Sequence, residues 1–330
     1  MPRYSSNAIA AVDGWPLWSP NGSGRHGSVG RRKEANTAMQ RIEPIPALLP
    51  RGRDGCQFVV YGDCCSGTPG ARHEDNFAAM NRVLRALTPA PDFILFLGDH
   101  IMGYTEDEAE LRAQWTHVLD VEFPSVRQVA PVHHLPGNHD IFDAQSAALW
   151  SELFARAPRD GAWGRTGRSY ALRRGPVFMA MLDTPAPERN GRACLADLDW
   201  LAQMLEAHAD ARHRFVCGHH PAWPVNGYDE HPMWCAPPDE AGMFWRLLGE
   251  HNVSAYLCSH IIAFDIQEHA GILQITSAGA GTNYGPGGFM DAPDEYHHLV
   301  QMAVDDDGLR LQAIDMRGRP RETLTWPASA

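Results

Sequence analysis

The feature of this sequence that most restricts its fold is a repeated alternation of short apolar runs and helical stretches, which begins at residue 56. The run 93–97 is apolar throughout and short enough to be a strand buried on both faces. The stretch 76–87 carries apolar residues at helical spacing, and Pro89 and Pro91 come after it as stops. Such alternation favours parallel strands with helices packed outside them. We therefore expect an α/β fold.

The same criteria assign the rest of the chain. The predicted strands cover 57–61, 93–97, 132–135, 169–172, 177–182, 215–217, 253–258, 272–276, 299–304 and 309–314. The predicted helices cover 76–87, 106–119, 144–155, 195–208 and 241–251. The turn Asp305-Asp306-Asp307-Gly308 joins the last two strands as a hairpin.

The first fifty residues differ in composition from the rest of the chain. They are rich in Ser, Gly, Pro, Asn and Arg and show no sustained apolar periodicity. We expect 1–50 to be a disordered N-terminal extension and 51–330 to form one domain, with Met39 as an alternative start of the protein.

Charge and cysteine content restrict partners and compartment. The net charge of −12 argues against non-specific binding to nucleic acid, so a phosphorylated ligand would need a local site. The seven cysteines contain no C-x-x-C pair, which is typical of buried thiols in a reducing compartment. We find no apolar run of the ~20 residues that a membrane-spanning helix needs. The sequence therefore predicts a cytoplasmic protein without membrane partners.

Five polar residues follow apolar strands at their carboxyl ends, where α/β sheets bind ligands. They are Asp63, Asp99, Asn138, His219 and His260. Each alone has an ordinary interpretation, such as a turn for Gly137-Asn138 or a surface hydrogen bond for a histidine. Together they offer carboxylate, amide and imidazole donors at one edge, and those donors suit Zn, Fe or Mn. We expect Asp99, on the central strand, to lie between two metals.

An ordered series of motifs carries a family resemblance. It runs Gly62-Asp63, Gly98-Asp99-His100, Gly137-Asn138-His139-Asp140, Gly218-His219-His220-Pro221 and Leu257-Cys258-Ser259-His260. This series resembles calcineurin-like metallophosphoesterases over about 56–285, and 215–281 is similar to their purple acid phosphatase branch. The resemblance implies a four-layer α/β/β/α sandwich of two mixed sheets, with metals at one end.

The resemblance also implies roles for these residues. Asp99 would bridge two divalent ions, with Asp63 on the first and Asn138, His219 and His260 on the second. His139 would orient the phosphate or protonate the leaving oxygen, and Asp140 would orient His139. His231, in a Pro-rich loop, would contact a small phosphorylated substrate. One or two ions of Fe, Zn or Mn per chain are implied.

Three positions depart from the family pattern, and all three bear on the first metal. Cys65 stands where the family often has a histidine, Ile262 where it has another, and Met102 where purple acid phosphatases have a tyrosine. Cys65 is either a thiolate ligand or a buried thiol. Replacement donors are available nearby: His100, Tyr104, Asp265, His297 and His298.

These departures leave three functional hypotheses. The first is a hydrolase that cleaves phosphomonoesters or phosphodiesters with metal-activated water. The second is a non-catalytic descendant that binds a phosphorylated ligand or keeps one metal for structure. The third is a single-metal hydrolase or redox metal site that uses Cys65. The intact Asn138-His139-Asp140 unit favours the first hypothesis, and Ile262 and Met102 favour the second.

Overall fold

The computed structural model describes residues 42–49, 55–157, 167–195, 198–225, 228, 231, 233–282 and 296–327. Within these ranges the strands are β1 Ile45–Pro46, β2 Cys56–Tyr61, β3 Leu87–Thr88, β4 Phe93–Phe96, β5 Val132–His134, β6 Tyr170–Arg174, β7 Val177–Met181, β8 Pro185–Ala186, β9 Arg192–Ala193, β10 His213–Cys217, β11 Ala255–Cys258, β12 Phe264–His269, β13 Ile272–Ser277, β14 His298–Asp305, β15 Gly308–Asp315 and β16 Pro320–Pro327.

The helices of the same ranges are α1 Arg72–Ala86, α2 Glu108–His117, α3 Pro124–Arg127, α4 Ala144–Leu153, α5 Leu198–Ala207 and α6 Pro238–Glu250. A π-helical turn, Val118–Glu122, continues α2, and a 3₁₀ turn covers Pro187–Arg189. None of these helices has both the length and the apolar character that crossing a membrane requires.

Two six-stranded mixed sheets dominate the fold. The first has the order β16-β15-β14-β2-β4-β5, and its β2, β4 and β5 are parallel. The second has the order β12-β13-β11-β10-β7-β6, and its β7, β10, β11 and β13 are parallel. Parallel neighbours bring their carboxyl ends to one edge of each sheet, which is the edge where the sequence predicted the polar residues.

Alternation along β2 shows how the layers form. Phe58 and Val60 face a core between the two sheets, whereas Val59 and Tyr61 face a second core beneath α1 to α4. A third core packs α5 and α6 on the outer face of the second sheet, with Phe244 and Val216 among its members. Because β2 is buried on both faces from Phe58 to Tyr61, that part of its sequence is one continuous apolar run. The predicted α/β/β/α sandwich of two mixed sheets is confirmed.

Ordered structure begins earlier than the sequence suggested. Ile45 pairs with Leu87, and Ile45 and Leu49 are both buried. For 42–49 this corrects the expectation of a disordered extension, because two apolar side chains anchor the stretch to the domain. The remainder of the predicted extension, 1–41 and 50, lies outside the described residues.

The core between the sheets supports a stability test. Phe58 is fully buried, stacks on Phe93 with ring centroids 5.0 Å apart, and meets Phe215 edge-on at 5.8 Å. We expect Phe58→Ala to lower the free energy of unfolding by about 3–5 kcal/mol, because it removes buried area and leaves a cavity. Met243→Ala, an exposed site on α6, is the control and should change it by less than about 0.5 kcal/mol. Equal effects in denaturant unfolding would contradict the assignment of Phe58 to the core.

Candidate metal centre

The centre lies where the strand ends of the two sheets meet. His219, just beyond β10 of the second sheet, donates from Nδ1 to the carbonyl oxygen of Leu97, just beyond β4 of the first, at 2.8 Å. A carbonyl can only accept, so this bond leaves the Nε2 lone pair of His219 facing inward. Gly98 and Gly137 keep the approach open, since a side chain at either would collide with the ring of His219 or the carboxylate of Asp99.

Three more atoms that could bind a metal lie close to His219 Nε2. Asn138 Oδ1 lies 2.9 Å from it, His260 Nδ1 3.1 Å and Asp99 Oδ1 3.4 Å. The amide of Asn138 has its orientation set by Tyr104, because its Nδ2 donates to the Tyr104 hydroxyl at 2.6 Å. His260 donates from Nε2 to the Met233 carbonyl at 2.7 Å, so its Nδ1 also presents a lone pair.

The four groups are arranged so that they could share one metal ion. Neighbouring ligands on a tetrahedral ion with bonds of ~2.0–2.2 Å stand about 3.3–3.6 Å apart. Asp99 Oδ1 lies at that spacing from His219 Nε2, and the Asn138 and His260 atoms lie somewhat closer to it. With Nδ1 of His219 engaged, lone pairs face lone pairs unless a proton or a cation sits between them. A divalent ion would satisfy all four donors at once.

Asp63 borders the same cluster. Its Oδ2 accepts from the Ser259 hydroxyl and, at 3.2 Å, from the His260 backbone N–H. Its Oδ1 is buried and has no hydrogen-bond partner among the described residues. Burying a carboxylate oxygen without a hydrogen-bond donor costs free energy. A cation beside Asp63 would remove that cost.

Backbone strain supports a functional role for this edge. Asp63, Asp99 and His260 have φ values of 64°, 54° and 71°, in the left-handed region that non-glycine residues rarely adopt. Each such residue costs about 1–3 kcal/mol and persists only where surrounding contacts enforce it. The strand ends are therefore bent to aim side chains at one point.

The first half of the site is the altered one. The Cys65 thiol lies 4.0 Å from Asp99 Oδ2, and Cys65, Asp99 and His139 offer donor atoms within 4.8 Å of one another. Burial raises the pKa of Cys65 well above its usual value, and the carboxylates of Asp99 and Asp63 raise it further. A thiolate at this position therefore needs a bound cation. Ile262 is buried and offers no donor.

His139 is placed differently from the four converging donors. Its Nδ1 donates to the Met102 carbonyl at 2.6 Å, and its ring meets Tyr104 edge-on at 4.5 Å. Its Nε2 lies 3.8 Å from Asp99 Oδ2 and its side chain is 27% exposed. A partly exposed imidazole with one nitrogen anchored can exchange protons with a ligand through the other.

Asp140 does not orient His139 as the resemblance implied. It is fully buried, and its carboxylate accepts from His100 Nδ1 at 2.8 Å and from the backbone N–H groups of His100 and Gly137 at 2.9 and 2.8 Å. It thus ties the loop after β4 to the loop after β5. The carbonyl of Met102 orients His139 instead.

His100 is likewise excluded as a metal ligand. Both of its ring nitrogens are engaged, Nδ1 with Asp140 and Nε2 with His134 at 2.9 Å. Among the other candidate donors, Asp265 accepts from Gln267 on β12, and His298 Nδ1 bonds the Tyr296 carbonyl. Tyr104 lies against Asn138, one of the four converging residues.

The proposed substrate residue His231 is exposed, and its Nδ1 accepts from the Met233 N–H at 3.2 Å. Since the Met233 carbonyl holds His260, this loop touches the centre. The sequence did not predict the contact between Met233 and His260. It also did not predict the role of Thr184, whose hydroxyl accepts from the backbone N–H groups of His219 and His220 at 3.0 Å each. Neither Met233 nor Thr184 belongs to a motif, so the sequence carried no signal for these contacts.

Burial and mutual charge set the protonation of the cluster. Burial raises the pKa of Asp63 to about 8, against the lowering effect of His219. Burial opposes a charge on His219, but the Asp99 carboxylate outweighs it and raises that pKa to about 9. Burial and the neighbouring His219 lower the pKa of His260 to about 3. The centre thus attracts positive charge at His219 and Asp99.

The Asp63 shift gives a pH test. Its carboxyl titrates near 3.9 in the unfolded chain and at about 8 in the folded one, so the metal-free folded state binds an extra proton between these values. Stability should therefore fall as pH rises from about 4 to about 8, and Asp63→Asn should remove that part of the fall. We expect unfolding curves in chelator to show the unmodified chain losing stability relative to the variant across this window. A constant difference would contradict the shift.

Comparison with known proteins agrees with this geometry. The family model for calcineurin-like phosphoesterases matches residues 56–264. The chain is 32% identical to tartrate-resistant acid phosphatase type 5 of Sus scrofa over 298 residues, which covers 82% of this chain and 77% of that protein. The predicted resemblance to this superfamily and to its purple-acid-phosphatase-like branch is confirmed.

Solved structures show the same fold at low identity. A dimetal phosphatase from Danio rerio aligns with a TM-score of 0.60 at 15% identity, over 84% of this chain and all of that one. GAP50, described as the anchor in the inner membrane complex of Plasmodium, aligns with a TM-score of 0.57 at 13% identity, over 84% of this chain and 90% of that one. Motif order, strand-end geometry and the family match agree: this chain belongs to the calcineurin-like phosphoesterase family.

Proposed function

We propose that this chain is a metal-dependent hydrolase of phosphoric esters, acting on a small phosphomonoester or phosphodiester. The observation that carries the proposal is the convergence of Asp99, Asn138, His219 and His260 on one ion-sized point, with His139 beside it. The relatives named as phosphatases support the same reaction class.

A divalent ion bound here would supply positive charge that stabilises the transferring phosphoryl group and activates water for attack. The chain's own residues supply the remaining requirements. The water oxygen bonds to phosphorus and gives up a proton to solvent as the ester P–O bond breaks, and the leaving oxygen takes up a proton. His139 can deliver it from Nε2, because its Nδ1 is anchored to the Met102 carbonyl and cannot turn away.

The surroundings of His139 hold the reacting group in place. The ring of Tyr104 packs against it, and Phe142 packs on Tyr104 with centroids 4.8 Å apart. Asp99 Oδ2 lies 3.8 Å from Nε2 of the same ring. Carbonyl, aromatic ring and carboxylate together limit the rotation of the proton donor, which lowers the cost of reaching a reactive geometry.

A second candidate function is suggested by the first half-site. Ile262 provides no donor and Cys65 is a buried thiol, so this half has fewer certain ligands than the other. A protein that binds one ion tightly, and either hydrolyses with that ion or only holds a phosphorylated ligand, is the alternative. The buried Oδ1 of Asp63 favours a second cation held more weakly.

We further propose a cytoplasmic location. All seven cysteines are buried thiols, and none of them forms a disulfide in the structure. Thiols persist in reducing compartments, so the pattern suits the cytoplasm.

Activity assays with a His139 variant test the proposal. We expect the purified chain, after treatment with chelator, to hydrolyse p-nitrophenyl phosphate or bis(p-nitrophenyl) phosphate only when Mn²⁺, Zn²⁺ or Fe²⁺ is added. His139→Ala should lower kcat by ~10²–10⁴-fold while elemental analysis shows unchanged metal content, since a general acid is not a ligand. His251→Ala, at the end of α6, is the matched control and should retain kcat.

Two outcomes would count against this account. Metal-loaded protein that hydrolyses neither ester would favour the binding alternative. A His139→Ala protein that loses its metal but keeps its activity per bound metal would show that His139 is a ligand and not the proton donor.

Adjacent cysteines allow a matched test of the first half-site. Cys64 and Cys65 are both buried, but Cys64 donates to the His100 carbonyl at 3.1 Å whereas Cys65 faces Asp99. We expect Cys65→Ala to weaken binding of the more loosely held ion by at least about tenfold in a metal titration, and Cys64→Ala to leave it unchanged. Identical titrations of the two variants would show that Cys65 is a packing residue.

A further inference from the structure

A second cluster of metal-type donors lies outside the phosphoesterase centre, where α1, the end of α2 and the π-helical turn meet. Glu74 comes from the first turn of α1, His117 ends α2, and Glu122 ends the π-helical turn. One donor atom from each lies within 4.8 Å of the others. None of the three belongs to the motif series or to the proposed reaction.

The π-helical turn is what brings two of these residues together. Its hydrogen bond runs from the Phe123 N–H to the Val118 carbonyl, a separation of five residues, at 2.9 Å. Residues five apart share a face in such a turn, whereas an α-helix would separate them. His117 and Glu122 are five apart, and His117 Nε2 lies 3.4 Å from Glu122 Oε1. Such turns are rare and frequently mark functional sites.

Both carboxylates are also held by hydrogen bonds from outside the cluster. Glu74 Oε2 accepts from the Gly70 N–H at 2.6 Å, and Glu74 Oε1 lies 3.0 Å from His117 Nε2. Glu122 Oε1 accepts from the Ser66 hydroxyl at 2.7 Å. Metal-binding carboxylates are commonly fixed in this way by outer hydrogen bonds.

The second oxygen of the Glu122 carboxylate is left unsatisfied by the described residues. The Glu122 side chain is only 5% exposed, and its Oε2 is buried with no hydrogen-bond partner in the part of the chain that the structure describes. A proton on His117 Nε2 could form a hydrogen bond to Glu74 Oε1 or to Glu122 Oε1. In either case Glu122 Oε2 would remain without a hydrogen bond. A cation bound by both oxygens of Glu122, beside Glu74 and His117, would satisfy it.

From this geometry we propose that Glu74, His117 and Glu122 form a second, separate site for a divalent cation, with zinc as the best match. One imidazole and two carboxylates are a ligand set that zinc accepts, and the spacings of 3.0 and 3.4 Å are near those around a tetrahedral ion. Glu74 is 26% exposed, so the ion can enter from solvent and a water can complete its shell.

The position of this site indicates what it would do. Ser66, which holds Glu122, directly follows Cys65, and its N–H donates to the His100 carbonyl at 2.9 Å. The Ser66 carbonyl accepts from the N–H of Met102, whose own carbonyl orients His139. A cation here would therefore brace the loop that carries Cys65 and the backbone that holds the proposed proton donor.

Zinc counting on the full-length chain tests this site. After removal of metal and equilibrium dialysis against a series of free zinc concentrations, we expect His117→Gln to bind one zinc fewer per chain than the unmodified protein. His251→Gln, which removes a histidine at the end of α6, is the control and should bind the full number. Because Glu74 is partly exposed, Glu74→Gln is the milder variant and should weaken this zinc by at least about tenfold.

A background variant separates this site from the phosphoesterase centre. With His219→Ala present in both proteins, His117→Gln should still remove one zinc. If His117→Gln does not fold, Glu74→Gln decides the question alone. Equal zinc binding by the variants and the unmodified chain would show that the three residues are only an ion pair, and loss of the difference in the His219→Ala background would assign the zinc to the other centre.

Discussion

The structure depends on a concentration of lone pairs and negative charge at the edge where two sheets meet. Asp63 and Asp99 are buried there, and the free nitrogens of His219 and His260 face them. Such groups repel unless a proton or a metal ion lies between them. The fold forces them together by pairing β2 with β4 and β10 with β11 in parallel, so their carboxyl ends share an edge. A cation bound at this edge would be the basis of the proposed chemistry.

Main-chain groups do most of the orienting. The carbonyls of Leu97, Met233 and Met102 each fix one imidazole, and in each case the nitrogen they leave free is the one that faces the centre. A carbonyl can only accept, so it keeps a proton on the nitrogen that it binds and leaves the other nitrogen to face the centre. This explains how His139 and His219 can have different roles although they lie near the same carboxylate. Among the described residues, Asp140 forms no hydrogen bond to these rings, and it supports the centre indirectly by joining the loops after β4 and β5.

How much of the structure the sequence could predict depended on burial. Strands β2 and β4 were predictable because both faces are apolar, and the donors followed from motif order. Strand β12 was missed because it is an edge strand whose polar positions break the apolar run, and β16 was missed because it is largely exposed. The partner of Asp140 and the π-helical turn were not predictable, since both depend on how separate loops pack. Tyr104 lies two residues after Met102, the position where purple acid phosphatases have a tyrosine, and its hydroxyl still reaches Asn138. No motif spacing indicates this contact.

The most direct test of the central claim is anomalous X-ray diffraction from crystals grown with Mn²⁺ or Zn²⁺, measured at the absorption edge of that metal. The account predicts a strong peak within about 2.0–2.2 Å of donor atoms from Asp99, Asn138, His219 and His260. A weaker peak beside Asp63 and Cys65 would mark an ion in the first half-site. A well-ordered structure with no anomalous peak among these four residues, or with His260 turned away from Asn138, would contradict it.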